Sequence, residues 1–303
     1  MNKISFGLRF QQTLLQIGLR ILALFPLTWL QRFARLLGRI LYYFPNDIRR
    51  VTRLNIEHCF PDWTPAQRED LIRRSIQHTL MSAMEMVALW IKPPAFSFRQ
   101  IRNGTPLPPL TGPEGHLFLV PHMGAWEIFT VSALEYYSEV VSLYRPPKKM
   151  ILEKIIRNAR QRTGMTMVPT TQTGVKALFK ALDQNKVVAI LPDQDPGESG
   201  GVFVPFFGLD AWTMTLAVRL AHKSKAKVYF AFATRNAIGE GFDTHVIPAS
   251  EGIFQDDLTA ATASMSRDLE AIVRQFPDQY QWAYKRFKRQ PGGKPNFYDT
   301  MRK

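Results

Sequence analysis

The chain has 303 residues and a single cysteine, Cys59, which excludes an intramolecular disulfide. A formal net charge of +14 and a hydrophobic content of 46% indicate a globular protein with a substantial core and an anionic partner. That partner could be nucleic acid, an acidic protein, a phosphate-bearing substrate or an anionic membrane. The sequence holds no P-loop, G-x-G-x-x-G or H-E-x-x-H motif, so it gives no support to the cofactor and metal sites that those motifs form.

Residues 1–95 predict a helical region with the character of a membrane anchor. The stretch 6–25 is rich in Leu, Ile and Phe, and its polar residues recur at helical spacing, which is typical of an amphipathic helix. Arg20 and Pro26 interrupt the most apolar window, which makes it short for a membrane span. Arginines that would attract anionic headgroups follow at Arg32, Arg35, Arg39, Arg49, Arg50 and Arg53. We expect membrane attachment from the cytoplasmic side, although a core helix with a basic face has the same pattern.

From residue 96 to residue 303, short apolar runs alternate with helical patterns. This alternation predicts an α/β domain with a mostly parallel sheet flanked by helices. The predicted strands cover residues 117–120, 140–143, 166–168, 187–191, 202–205, 228–233 and 244–247. The predicted helices cover residues 126–136, 149–163, 174–183, 213–223 and 257–275.

A titratable histidine stands where the first of these strands ends. Pro121 ends the strand, Gly124 permits a tight turn, and a helix can begin near Trp126. Active sites of open α/β sheets lie at such strand ends, so His122 is a candidate general base. Glu127, at the start of the helix, is the candidate carboxylate that fixes the imidazole tautomer. On these residues alone, a structural histidine beside an exposed glutamate remains the alternative.

The loops after the other predicted strands carry arginines and acids. Arg145 follows the second strand, and Arg160 and Arg162 lie near the end of the next helix, where planar guanidinium groups could bind phosphate or carboxylate. Asp193 and Asp195 follow the fourth strand and could bind Mg²⁺ or orient neighbouring arginines. For the arginines, a solvated basic face or salt bridges to these acids are the alternatives.

The run Gly197-Glu198-Ser199-Gly200-Gly201 has the spacing of a nucleophile elbow. That motif needs a strand directly before the serine and a helix directly after it. Here a loop precedes the run and a predicted strand follows it, so we interpret the match as chance.

Several motifs, in their order along the chain, resemble the late-stage acyltransferases of bacterial lipid A biosynthesis. They are His122-x-x-x-x-Glu127, Tyr144-Arg145-Pro146, Arg160-x-Arg162-x-Gly164, the run 191–197 and the run 201–208. The upstream run 55–61 and the ending 282–291 also fit, although Ala283-Tyr284 departs from the common pattern of that ending. The resemblance covers nearly the whole chain.

The resemblance implies an enzyme that moves a fatty acyl chain from acyl carrier protein to a 3-hydroxyl of an acyl chain on lipid A. It places this reaction at the cytoplasmic face of the inner membrane, with His122 as general base and Glu127 as its charge partner. We expect substrate-binding roles for Arg145, Arg160, Arg162, Asp193 and Asp195. No metal is expected, because a thioester needs none to react, and no cofactor or nucleic-acid partner is expected either.

Two other functions remain open at this point. A metal-dependent glycosyltransferase would use Asp193 and Asp195 on Mg²⁺ with a nucleotide sugar. A non-catalytic basic protein would only bind the membrane surface. Dependence on metal distinguishes the first from an acyltransferase, and loss of turnover on changing His122 distinguishes the second.

Overall fold

The structure, a computed structural model, describes residues 6–145, 156–158, 160–161 and 164–299. It begins with helices α1 (Phe6–Leu24), α2 (Leu27–Tyr43), α3 (Asp47–Cys59), α4 (Pro65–Ile91) and α5 (Pro94–Phe98). The elements that follow are β1 (Ile101–Gly104), β2 (His116–Leu119), α6 (Trp126–Tyr136), β3 (Val140–Tyr144), β4 (Thr166–Pro169), α7 (Gln172–Asp183), β5 (Val187–Ile190), β6 (Gly201–Phe206), β7 (Leu209–Met214), α8 (Leu216–Ser224), β8 (Lys227–Arg235), β9 (Phe242–Pro248) and α9 (Leu258–Gln275).

Seven strands form one sheet in the order β1-β9-β8-β2-β5-β3-β4. All neighbouring strands in it are parallel except β8 and β9, so the prediction of a mostly parallel sheet flanked by helices is confirmed. At its centre, β2 pairs with β5 on one side and β8 on the other, and all four of its residues are buried. Burial on both faces explains why the sequence of β2 is apolar without alternation.

The predicted strand at 202–205 exists, but it lies outside this sheet. It is β6, which pairs with β7 in a separate antiparallel hairpin. The two turn residues, Phe207 and Gly208, have φ values of 52° and 75°, which is the backbone of a tight hairpin turn. A buried phenylalanine occupies the first turn position, so the sequence has no turn signal there. The helix predicted from residue 213 therefore overlaps the end of β7.

One strand and one helix differ further from the prediction. The edge strand β1 was not predicted, because Arg102, Asn103 and Gly104 are exposed and polar and leave no apolar alternation. The helix predicted at 149–163 lies largely outside the described residues. Within that stretch, residues 156–158 and 160–161 are helical.

Helices α3 and α4 pack into the same hydrophobic core as the sheet. Leu71 and Ile72 of α4 are fully buried in one cluster with Leu117 and Leu119 of β2. On α3, the buried Asn55 donates hydrogen bonds of 2.7 and 2.9 Å to the carbonyl oxygens at positions 282 and 284. The division into regions 1–95 and 96–303 stays a prediction, and the two regions share this core.

Helices α1 and α2 carry most of the exposed apolar surface. Among the described side chains, every large hydrophobic residue that is exposed lies between Leu14 and Phe44, except Tyr136 and Ile247. No single described helix is long and apolar enough to cross a membrane. Residues 13–24 and α2 satisfy that criterion only as a pair, with a bend of 111° between them.

A buried histidine at the start of β2 makes the stability of the fold depend on pH. His116 is fully buried among the rings of Phe118, Tyr137 and Tyr229, at centroid distances of 5.4–6.2 Å. Neither ring nitrogen has a hydrogen-bond partner among the described residues. Burial, with a smaller contribution from the charge of Lys227, lowers the pKa of His116. Protonation therefore favours the unfolded chain.

We expect the free energy of unfolding to fall as pH decreases below about 6.5, the pKa of an unperturbed histidine. Burial acts in the same direction on His78, whose pKa is lowered to about 2, and on His245. The free energy of unfolding is measured by urea denaturation at several pH values between about 7 and 5. In His116→Phe, the slope of this free energy against pH should be smaller than in wild type by up to ~1.4 kcal/mol per pH unit. His222→Gln is the matched control, because His222 lies at the surface beside Asp256. Equal slopes in wild type and His116→Phe would contradict the prediction.

Candidate active site

His122 and Asp193 come together at the carboxyl ends of β2 and β5. In this parallel pair Leu119 lies opposite Ile190, and three residues further along each chain come His122 and Asp193. Asp193 Oδ1 lies 2.8 Å from His122 Nδ1, and Asp193 Oδ2 accepts a 2.8 Å hydrogen bond from the backbone N–H of His122. One carboxylate therefore fixes both the imidazole ring and the backbone that carries it.

The charge state of Asp193 determines the tautomer of the histidine. Burial alone would raise the pKa of this carboxyl group, which is 2% exposed. Attraction to His122 and the hydrogen bonds from its ring and backbone outweigh burial and lower the pKa of Asp193 below the ordinary value. An ionised carboxylate only accepts hydrogen bonds, so Nδ1 is the donor to Asp193, and in the neutral imidazole Nε2 then has the lone pair. The His122 side chain keeps 15% of its exposure, so a substrate can approach it.

Glu127 has a different partner from the one predicted. It lies in the first turn of α6, is 2% exposed, and forms an ion pair with Arg160, whose Nε is 3.4 Å from Oε2. The hydroxyl of Thr130 donates to the backbone carbonyl of Glu127 at 2.8 Å. The predicted pairing of Glu127 with the imidazole is thus corrected, because strand register brings Asp193, and not residue 127, beside His122.

The turn after His122 requires glycine. Gly124 has φ +53°, and a Cβ atom there would lie 2.0 Å from the carbonyl oxygen of Ala233. Its N–H donates to the carbonyl of Gln279 at 2.8 Å, and its own carbonyl accepts from the hydroxyl of Ser82 at 2.8 Å. The backbone of β8 and the helix α4 therefore hold this turn from two sides.

A buried ion pair lies beneath the same turn. Glu85 of α4 and Arg235 of β8 are each 1% exposed, and Arg235 Nε lies 2.5 Å from Glu85 Oε1. Arg235 also donates to the Ser82 hydroxyl at 3.1 Å and to the Gly124 carbonyl at 3.4 Å. Gln31 of α2 donates to Glu85 at 2.7 Å. The pair thus joins α2, α4 and β8 to the backbone next to His122.

Asp195, on the same loop as Asp193, is surrounded by cations. Its Oδ2 lies 2.8 Å from Arg289 Nε and 3.2 Å from Lys288 Nζ, and its Oδ1 accepts the Gly197 N–H at 2.7 Å. Burial acts to raise the pKa of Asp195, but these hydrogen bonds and charges lower it overall. Arg145 Nη1 is 3.5 Å from the backbone carbonyl oxygen of Asp195.

A C-terminal segment, residues 280–289, lies against both loops. The N–H of Gln281 donates to the carbonyl of His122 at 3.1 Å, and the hydroxyl of Tyr284 accepts the N–H of Asp195 at 2.8 Å. No site role is predicted from the sequence for Gln281, Tyr284, Lys288 or Arg289. The one available signal was that the ending 282–291 fits the family resemblance.

The predicted site residues thus separate into groups. His122 is with Asp193, Glu127 is with Arg160, and Arg145 is beside Asp195, while Arg162 lies outside the described residues. Over the described ranges, no group of three or more His, Cys, Asp and Glu side chains is arranged to hold a metal ion. The elbow-like run ends at Gly201, where a strand and not a helix begins, so its interpretation as a chance match is confirmed.

Comparison with known proteins adds the family. Residues 7–289 match the sequence model of the family described as bacterial lipid A biosynthesis acyltransferase. The chain belongs to this family. The lipid A biosynthesis lauroyltransferase of Escherichia coli (strain K12) is 26% identical over 301 residues, which cover 96% of this chain and 95% of that protein.

Two further relatives from the same organism differ in the acyl group that they are named for. The lipid A biosynthesis palmitoleoyltransferase is 25% identical, with 82% of this chain and 81% of that protein covered. The lipid A biosynthesis myristoyltransferase is 26% identical, with 87% and 81% covered. The family favours acyl transfer over glycosyl transfer and over a purely binding role. The three sequence identities are nearly equal, so they do not indicate which acyl group this chain transfers.

The ion pair beneath the turn gives a prediction about stability. Arg235→Met leaves Glu85 buried without a cation and should lower the free energy of unfolding by about 3–5 kcal/mol, measured by urea denaturation. The double variant Glu85→Leu/Arg235→Met removes both charges and should recover most of that loss. Arg73→Met, which breaks an exposed pair with Asp70, should cost at most about 1 kcal/mol. A double variant no more stable than Arg235→Met would contradict this account.

Proposed function

We propose that the protein transfers a fatty acyl chain from acyl carrier protein to a 3-hydroxyl of a lipid A-linked acyl chain. Membership of the lipid A acyltransferase family supports the reaction class and the lipid acceptor. The observation that carries the mechanism is the 2.8 Å contact between Asp193 and His122 Nδ1, which leaves Nε2 as a base. The acidic carrier protein as donor is consistent with the net charge of +14.

In the proposed reaction His122 moves one proton. A hydroxyl group is a weak nucleophile until a base takes its proton, so Nε2 accepts the proton as the hydroxyl oxygen attacks the thioester carbonyl carbon. Asp193 stabilises the imidazolium that forms. The tetrahedral intermediate then collapses, the carbon–sulfur bond breaks, and the sulfur leaves with the proton from the imidazolium. An ester and a free thiol result, and the balance needs no metal or cofactor.

We propose that Glu127 contributes to this reaction by positioning Arg160, and not by pairing with the imidazole. The ion pair between them is largely buried, with side-chain exposures of 2% and 15%. A carboxylate in that position holds the guanidinium next to the first turn of α6, five residues after His122. Removing the charge of Glu127 would remove the ion pair with Arg160 without changing the His122 tautomer.

Three variants test this assignment by acyl transfer from acyl carrier protein to a lipid A precursor, followed by mass spectrometry. His122→Ala should lower kcat/KM by about 10²–10⁴-fold, because the base is lost. Asp193→Asn should cause a comparable loss and change the pH dependence of kcat/KM, because an amide no longer fixes the tautomer. Glu127→Gln should lower the rate with an unchanged pH dependence.

The folded state of each variant is checked by thermal melting. Retention of more than about a tenth of the wild-type rate in His122→Ala would remove His122 from the chemistry. A pH dependence in Glu127→Gln that matches the one in Asp193→Asn would restore Glu127 as the partner of the histidine.

We further propose that α1 and α2 attach the enzyme to the cytoplasmic face of the inner membrane. At 100° per residue, Trp29, Phe33, Leu36 and Ile40 form one exposed apolar stripe along α2, opposite the buried face that packs on α4. The exposed side chains Arg32, Arg35 and Arg39 lie along one side of this stripe. An apolar stripe beside cations is typical of a helix in the plane of an anionic membrane surface.

Sedimentation with phosphatidylglycerol vesicles tests the stripe. Phe33→Ser/Ile40→Ser should reduce binding several-fold even at high salt, because apolar contacts are not screened. Tyr136→Ser is the control, since Tyr136 is even more exposed than Phe33 and Ile40 but lies on α6. Arg35→Gln/Arg39→Gln should reduce binding at low salt only. Unchanged binding of the Phe33→Ser/Ile40→Ser variant would show that α2 is not the attachment surface.

A further inference from the structure

The cations around Asp195 have unused hydrogen-bonding capacity. Arg289 contacts Asp195 through Nε alone, and its two terminal nitrogens have no partner within the described chain. To the residues that the structure describes, the guanidinium of Arg145 makes one contact, at 3.5 Å, and the residue is exposed. Lys288, with a side-chain exposure of 39%, uses one contact of its ammonium group. These three side chains present a set of oriented donors toward solvent.

The charges of this cluster do not balance. Among the described residues, Lys288 and Arg289 meet the carboxylate of Asp195, and Arg145 reaches its backbone carbonyl. Three cations thus stand beside one carboxylate, an excess of two positive charges at the rim of the site. The charge of Asp193 lies in the core below the rim, and Asp193 forms no ion pair with these three cations, because both of its carboxylate oxygens accept hydrogen bonds from His122. Arg160, the other arginine described from the predicted anion cluster, is engaged by Glu127. A ligand with two negative charges would complete the set, and planar guanidinium groups favour phosphate oxygens.

The cluster is close to the proposed base. Asp195 follows Asp193 by two residues, so the two Cα atoms are within roughly 7 Å, the reach of two extended residues. The Tyr284 hydroxyl fixes the Asp195 backbone, and the backbone of Gln281, in the same C-terminal segment, fixes that of His122. A ligand held by these cations is therefore on the same rigid frame as His122.

We propose that Arg145, Lys288 and Arg289 form a binding site for a phosphate monoester of the lipid acceptor, with Asp195 holding two of the three cations in position. This proposal rests on the proposed function, in which the acceptor is a lipid A precursor. A phosphate monoester carries about −1.5 to −2 charges at pH 7, which matches the excess of two. The phosphodiester that links the acyl arm to a carrier protein carries one negative charge and matches it less well.

Steady-state kinetics and direct binding together test the site. In Arg289→Gln and Lys288→Gln, the KM for the lipid acceptor should rise roughly tenfold or more, with kcat and the KM for the acyl carrier protein thioester unchanged. Arg289→Lys should fall between wild type and Arg289→Gln, because it keeps the charge and loses the planar fork. Arg73→Gln, which removes one exposed cation from α4, should leave both KM values at the wild-type level.

Binding is measured separately by titrating the His122→Ala protein with glucosamine 1-phosphate and, in parallel, with the diester glycerophosphocholine. Tighter binding of the monoester, lost in His122→Ala/Arg289→Gln, supports the site even if the acyl-transfer assignment fails. A rise in the KM for the donor alone would overturn the proposal and assign the cations to the carrier protein. Unchanged KM values with a lower melting temperature would also overturn it and make the cluster structural.

Discussion

The site depends on one buried carboxylate that accepts two hydrogen bonds. Asp193 uses one oxygen for the ring of His122 and the other for its backbone N–H, so neither oxygen is left unpaired in the core. The arrangement exists only because β2 and β5 pair in a particular register. A slip of one residue would move every side chain of a strand to the opposite face and separate the two groups. The chemistry of the site is therefore set by packing in the centre of the sheet.

The backbone after His122 is fixed independently of that carboxylate. The carbonyl of Ala233 lies against Gly124 and accepts a hydrogen bond from the N–H of Ala125, while Ser82 and Arg235 donate to the carbonyl of Gly124. A backbone conformation in the left-handed region persists where its surroundings leave no alternative, and here α4, β8 and the loop at Gln279 all contact the same turn. The imidazole is thus positioned by two sets of contacts that share no side chain.

Much of the framework could be predicted from the sequence. Buried parallel strands are continuous apolar runs, so β2, β3, β5 and β8 were predicted close to their observed bounds, as was α6. Pro121 and Gly124 mark the strand end and the turn, so His122 could also be predicted as a site residue. The partner of His122 could not be found in this way. Local spacing favoured Glu127, whereas the pairing with Asp193 depends on strand register across 71 residues.

Cys59 has a practical consequence for labelling experiments. It is the single cysteine of the chain, it lies 2% exposed in the hydrophobic core at the end of α3, and burial raises its pKa. Alkylating reagents react with thiolates at accessible positions, so this thiol is inert while the protein stays folded. A cysteine introduced at the surface would then be the sole point of attachment for a fluorophore or spin probe, with the native sequence otherwise intact. Conversely, reaction at Cys59 would report that the core had opened.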